Sequence, residues 1–76
     1  MKQQESKAWI VEWRGYALHF HTNVCGQCYD VVAPEHASRF ATPDEARAKA
    51  MRHGLQWNQY CQVIALDQAG EFMMSL

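Results

Sequence analysis

A chain of 76 residues with 49% apolar content makes a single small globular domain and excludes disorder. Its formal charge of −1 supplies no whole-chain field for nucleic acid, which sequence therefore disfavours as a partner. The polar start Met1–Lys7 lacks the apolar stretch of a signal peptide, and no run reaches the roughly 20 apolar residues of a membrane span, so the expected setting is cytoplasmic, without membrane contact.

Residues 1–6 read as a flexible tail and residues 7–76 as one α+β domain. Lys7 to Arg14 is rich in β-branched and aromatic residues and predicts a strand, with Trp9, Val11 and Trp13 on one face and Ala8, Ile10 and Glu12 on the other. Arg14-Gly15 is a tight-turn candidate because glycine tolerates positive φ. Tyr16 to Thr22 predicts the returning strand, on which His19 and His21 mark the more polar face. Asn23 to Gln27 reads as a loop, Tyr29 to Ala33 as a third strand, and Pro34 as its end, since proline cannot donate to a ladder.

The strongest local signal is a helix start. Thr42 is a natural N-cap, Pro43 suits the first helical position, and Glu45 completes a capping box. Ala46, Ala50, Gly54 and Trp57 fall on one stripe at about 100° per residue, widened by Ala48, Met51 and Leu55. Gly54 could end the helix as its C′ residue, but the period favours a helix running through it to Trp57, with Lys49, Arg52, His53 and Gln56 opposite and Arg47 a misfit in the apolar arc. Tyr60 to Leu66 predicts a fourth strand, residues 67–70 a hairpin loop, and Glu71 to Leu76 a fifth strand. The expected fold is an antiparallel sheet of four to five strands with one helix on one face, in the order βββ-α-ββ.

Cys25-Gly26-Gln27-Cys28 has the spacing of a half zinc site, to which His19 and His21 could add ligands, and the alternative reading of the chain is a small zinc-stabilised regulatory or nucleic-acid-binding module built on this pair. No second pair completes the motif, so Cys25, Cys28 and Cys61 are expected as free thiols and no cofactor is required. No phosphate-binding glycine loop, nucleophile elbow or HExxH is present, and the sequence reads as non-enzymatic. Three Trp, three Tyr and three Phe are more rings than so small a core easily hides. The candidate interface is therefore Trp9, Trp13 and Tyr16 on the sheet, or Lys49, Arg52 and His53 on the helix. The sequence leaves open which sheet face the helix covers, and whether the partner is a host protein complex or a second copy of the chain pairing through a sheet edge.

Arg39-Phe40-Ala41-Thr42-Pro43-Asp44-Glu45-Ala46, followed by Ala48-Lys49-Ala50-Met51, Trp57 and the Tyr60–Leu66 strand, resembles a pattern of small phage and mobile-element proteins. Over about the last half of the chain it is similar to part of some type I anti-CRISPR proteins. The resemblance implies a non-enzymatic inhibitor that binds a subunit of a host complex and blocks it sterically. The Cys25–Cys28 pair and the paired tryptophans have no counterpart in that pattern.

Overall fold

The computed structural model describes residues 8–68. Three strands come first: β1 (Trp9–Trp13), β2 (Tyr16–Asn23) and β3 (Gly26–Val32). A 3-10 turn (Pro34–His36), helix α1 (Pro43–Arg52), strand β4 (Cys61–Ala65) and a closing 3-10 turn (Leu66–Gln68) follow. The four strands form one antiparallel sheet in the order β3-β2-β1-β4, so the fold is α+β. The expected fifth strand at Glu71–Leu76 and the end of its preceding loop lie outside the described residues.

Alternation along β1 decides which face the helix covers. Val11, with Trp13 packed beside it, meets Leu18, Phe20, Cys61 and the helix residues Ala46 and Ala50. Alanine at both helix positions lets the backbone of α1 lie close to the sheet. The other face is not bare. Ile10, Ala17 and Ile64 are covered there by Ala37 from the connector, with Val32 and Leu66 at the margin.

The connector between β3 and α1 has to cross from that face to the helix side. It does so through a fork in the sheet. β1 and β2 pair only at Glu12↔Ala17 and Trp13↔Tyr16. Beyond these pairs, Phe40 exchanges both backbone bonds with Trp9 at 2.9 Å. Ser38 N–H donates to Leu18 O at 3.2 Å, and Ser38 Oγ accepts from Phe20 N–H at 2.9 Å. The connector thus satisfies strand groups that the parting of β1 and β2 would otherwise leave buried and unpaired. Ala37 enters the far core and Phe40 packs against the helix-side core.

The helix begins where the sequence places it. Thr42 Oγ1 accepts from Glu45 N–H at 3.2 Å, and Pro43 occupies the first turn. Glu45 reaches back to Ala41 N–H at 3.3 Å, one residue before the cap. The end differs from the expectation. The helix stops at Arg52 rather than running to Trp57, because Gly54 takes φ +94°. Gly54 N–H donates to Met51 O at 3.1 Å and Leu55 N–H to Ala50 O at 3.0 Å. Those two bonds are the 5→2 and 6→1 pair of a Schellman motif, and Leu55 joins Ala50 in the core. Met51 and Ala48, expected to widen the apolar stripe, are both exposed.

Nothing lies within 4 Å of a Cβ built on Gly54, so substitution there meets backbone strain alone. Gly54→Ala is expected to lower the unfolding free energy by about 1–2 kcal/mol. Urea denaturation with an unchanged m-value checks it, and an undiminished midpoint would contradict the motif.

Candidate functional site

Two side-chain clusters carry chemistry, at different places on the sheet. The first lies where the β1–β2 turn meets the loop leading into β4. Arg14 and Gly15 have φ 54° and 91°, both positive, as a two-residue type I′ hairpin turn requires. Glycine adopts this readily; arginine does so at a cost of about 1–2 kcal/mol. Two bonds hold the turn: Gly15 N–H donates to the Glu12 carboxylate, and Arg14 N–H donates to Tyr60 O at 3.0 Å. Glu12 is 7% exposed, so that bond is one of its few outlets.

The conformation aims the Arg14 guanidinium between two rings, 4.3 Å from the Tyr60 centroid and 5.3 Å from the Trp13 ring. Tyr16 stands opposite Trp13 on β2, and Cys61 opposite it on β4. In the same loop Trp57 lies under the Arg47 guanidinium at 5.3 Å. That contact explains the misfit arginine of the helix, whose long stem carries its charge onto a ring. Of the expected sheet interface, Trp13 and Tyr16 belong to this cluster and are half-buried. Trp9 is at the far end of β1, paired with Ala65 and Phe40.

The expected helix interface comes apart. Arg52 is exposed and Lys49 half-buried, but His53 is only 3% exposed. His53 is the C-cap residue, not a continuation of the outer helix face, so its ring turns inward against Phe20 with centroids 5.6 Å apart. Its Nδ1 lies 3.2 Å from Lys49 O; a carbonyl only accepts, so Nδ1–H is the donor. Beside it, Phe40, Glu45, Ala48, Lys49 and Arg52 line an open hollow of about 250 Å³, below the size usual for small-molecule sites.

The second cluster lies on the β2–β3 hairpin. The tip is shorter than expected: Asn23 pairs with Gly26, so only Val24 and Cys25 form the turn and β3 begins at Gly26 rather than Tyr29. This register sets His21 opposite Cys28 and His19 opposite Asp30. All four side chains share the face away from the helix. Cys28 Sγ is 3.5 Å from His21 Nδ1 and 3.4 Å from Nε2, and Asp30 Oδ2 is 2.8 Å from Nε2. The His19 and His21 rings stack with centroids 5.9 Å apart. Cys25 is exposed in the turn, where its N–H donates to Asn23 Oδ1, while Asn23 Nδ2 donates to Cys28 Sγ at 3.3 Å. As placed, no three His, Cys, Asp or Glu side chains among the described residues converge on one metal position.

Sequence reasoning missed the Arg14–Tyr60 and Arg47–Trp57 contacts, and missed Asp30. Antiparallel pairing would have placed Asp30 opposite His19 had the two-residue turn been recognised. No helix among the described residues is long and apolar enough to cross a membrane. Comparison with protein-family models, with curated proteins and with solved structures found no match.

Proposed function

We propose that the chain is a small non-enzymatic protein-interaction module whose contact surface is the sheet end bearing Trp13, Arg14, Trp57 and Tyr60. The observation that carries this reading is Arg14 held at φ 54° with its guanidinium between two aromatic rings. An Asn-Gly turn would close the same hairpin with less strain. Backbone strain is retained where it positions a working group. Trp, Tyr and Arg are also the residues that dominate protein–protein hot spots.

Arg14 and Arg47 are both exposed, and among the described residues no carboxylate forms an ion pair with either. Their chemistry suits an acidic patch on a larger protein, contacted by rings already fixed in place. The class of partner rests on the resemblance of residues 39–46 to mobile-element inhibitors. On that reading the partner is a subunit of a host complex, and the mechanism is steric blockade of the anti-CRISPR kind.

The test is co-purification from the host with the wild-type chain, Tyr60→Ala, Arg14→Ala and the distant surface control Glu35→Ala. A stoichiometric complex is expected with wild type and with Glu35→Ala. Tyr60→Ala and Arg14→Ala should each weaken it by at least tenfold, as hot-spot truncations of about 1.4 kcal/mol or more do. A monomer by light scattering that retains no partner would end this reading. A stable dimer dispersed by the same two substitutions would replace the host partner with a second copy.

A further inference from the structure

We propose that the outer face of the β2–β3 hairpin binds a thiophilic divalent cation of the zinc class. His21 and Cys28 are the primary ligands, His19 is the third, and Asp30 orients His21. Direct cross-strand pairing of His21 with Cys28 and of His19 with Asp30 puts two imidazoles, a thiol and a carboxylate on one face of a two-stranded ribbon. Side chains opposite each other on antiparallel strands have Cβ atoms about 4.5–5.5 Å apart, close enough for both to reach one ion.

The primary pair already has the required separation. Ligand atoms bound tetrahedrally to zinc at about 2.0–2.3 Å lie about 3.3–3.8 Å from one another. Cys28 Sγ is 3.5 Å from His21 Nδ1 and 3.4 Å from Nε2, so the sulfur rests against the imidazole. His21 Nε2 also meets Asp30 Oδ2 at 2.8 Å. A zinc-bound histidine characteristically gives its second nitrogen to a carboxylate, which fixes the tautomer and aims the ring. His21 therefore has a thiol within ligand distance and a carboxylate on Nε2, and a turn of its ring presents Nδ1 to the ion.

His19 completes the site by turning its ring. It is exposed and stacked on His21 with an interplanar angle of 21°, so rotation about its side-chain bonds displaces no core residue. Turning the His19 and His21 rings separates the present arrangement from three converged ligands. Binding releases the Cys28 thiol proton to solvent, and the fourth position is open to water. Two imidazoles and one thiolate select zinc over magnesium or calcium, which prefer all-oxygen shells.

The experiment is a Co²⁺ titration of the full chain under a non-thiol reductant, followed by absorption. One equivalent should produce a near-ultraviolet thiolate-to-cobalt band and visible bands of a tetrahedral ion, both bleached by Zn²⁺ and unaffected by Mg²⁺. Cys28→Ser should abolish the near-ultraviolet band. His21→Ala and Asp30→Asn should each weaken binding by at least tenfold. Cys25→Ser should change it by less than threefold. Circular dichroism verifies that each variant is folded. A second readout needs no variant: on adding Zn²⁺, the ring-proton resonances of His19 and His21 should shift while those of His36 and His53 stay. Absence of the near-ultraviolet band at saturating Co²⁺, its persistence in Cys28→Ser, or unmoved His19 and His21 resonances would each overturn the site.

Discussion

His53→Ala should destabilise the domain by about 3 kcal/mol, while Arg52→Ala, one residue earlier, should stay within about 0.5 kcal/mol. His53 loses three things at once in this substitution. Its ring, 3% exposed, leaves a space against the buried Phe20. The Nδ1–H bond to Lys49 O disappears, which removes a partner from a carbonyl of the last helical turn. The C-cap residue no longer anchors the turn in which Gly54 N–H and Leu55 N–H satisfy Met51 O and Ala50 O. Arg52 is exposed and takes part in none of this. Paired urea titrations read the contrast directly. Equal effects of the two substitutions would return His53 to the solvent face that the helical period assigned to it.

The start of α1 is legible because an N-cap is local chemistry: Thr42, Pro43 and Glu45 specify it within four residues. The end is not legible from period alone. Leu55 and Trp57 continue the apolar rhythm, yet they reach the core from a loop, because a left-handed Gly54 satisfies two carbonyls and redirects the chain. The strands β1, β2 and β4 and the α+β class follow from alternation and turn residues. The choice of face does not, since Trp9, Val11 and Trp13 on one side and Ile10 on the other are all apolar enough to be buried.

The two clusters failed to show in sequence for related reasons. Arg14-Gly15 announces a turn, but that the arginine's guanidinium meets Tyr60 depends on a loop 46 positions away in the chain. The Cys25–Cys28 spacing draws attention to the two thiols as a pair, whereas the register separates them. Cys25 stays in the turn and Cys28 faces His21. One residue of difference in the length of the hairpin tip changes which groups share a face.

Ile10→Ala tests the least expected feature of the fold, the packing of the sheet face that carries no helix. Ile10 is fully buried among Ala17, Ala37 and Ile64, on the face opposite α1. A four-stranded sheet with a single helix ordinarily leaves that face to solvent, and there the substitution would cost well under 1 kcal/mol. Here the connector seals it, so the expected loss is about 2–5 kcal/mol, the range for removing a large aliphatic side chain from a closed core. That is a large share of the roughly 4–11 kcal/mol available to a domain of this length, so the midpoint of urea unfolding should fall by about a fifth or more. Leu18→Ala on the helix side supplies the reference and should lie within about 1.5 kcal/mol of it. The seal depends on Ser38 as well: its hydroxyl accepts from Phe20 N–H and its N–H donates to Leu18 O, which holds Ala37 down. Ser38→Ala should therefore narrow the gap between Ile10→Ala and a surface substitution, because a loosened connector leaves Ile10 less to lose. A double-mutant cycle measures that coupling, and strict additivity of the two substitutions would show that the connector does not cover Ile10.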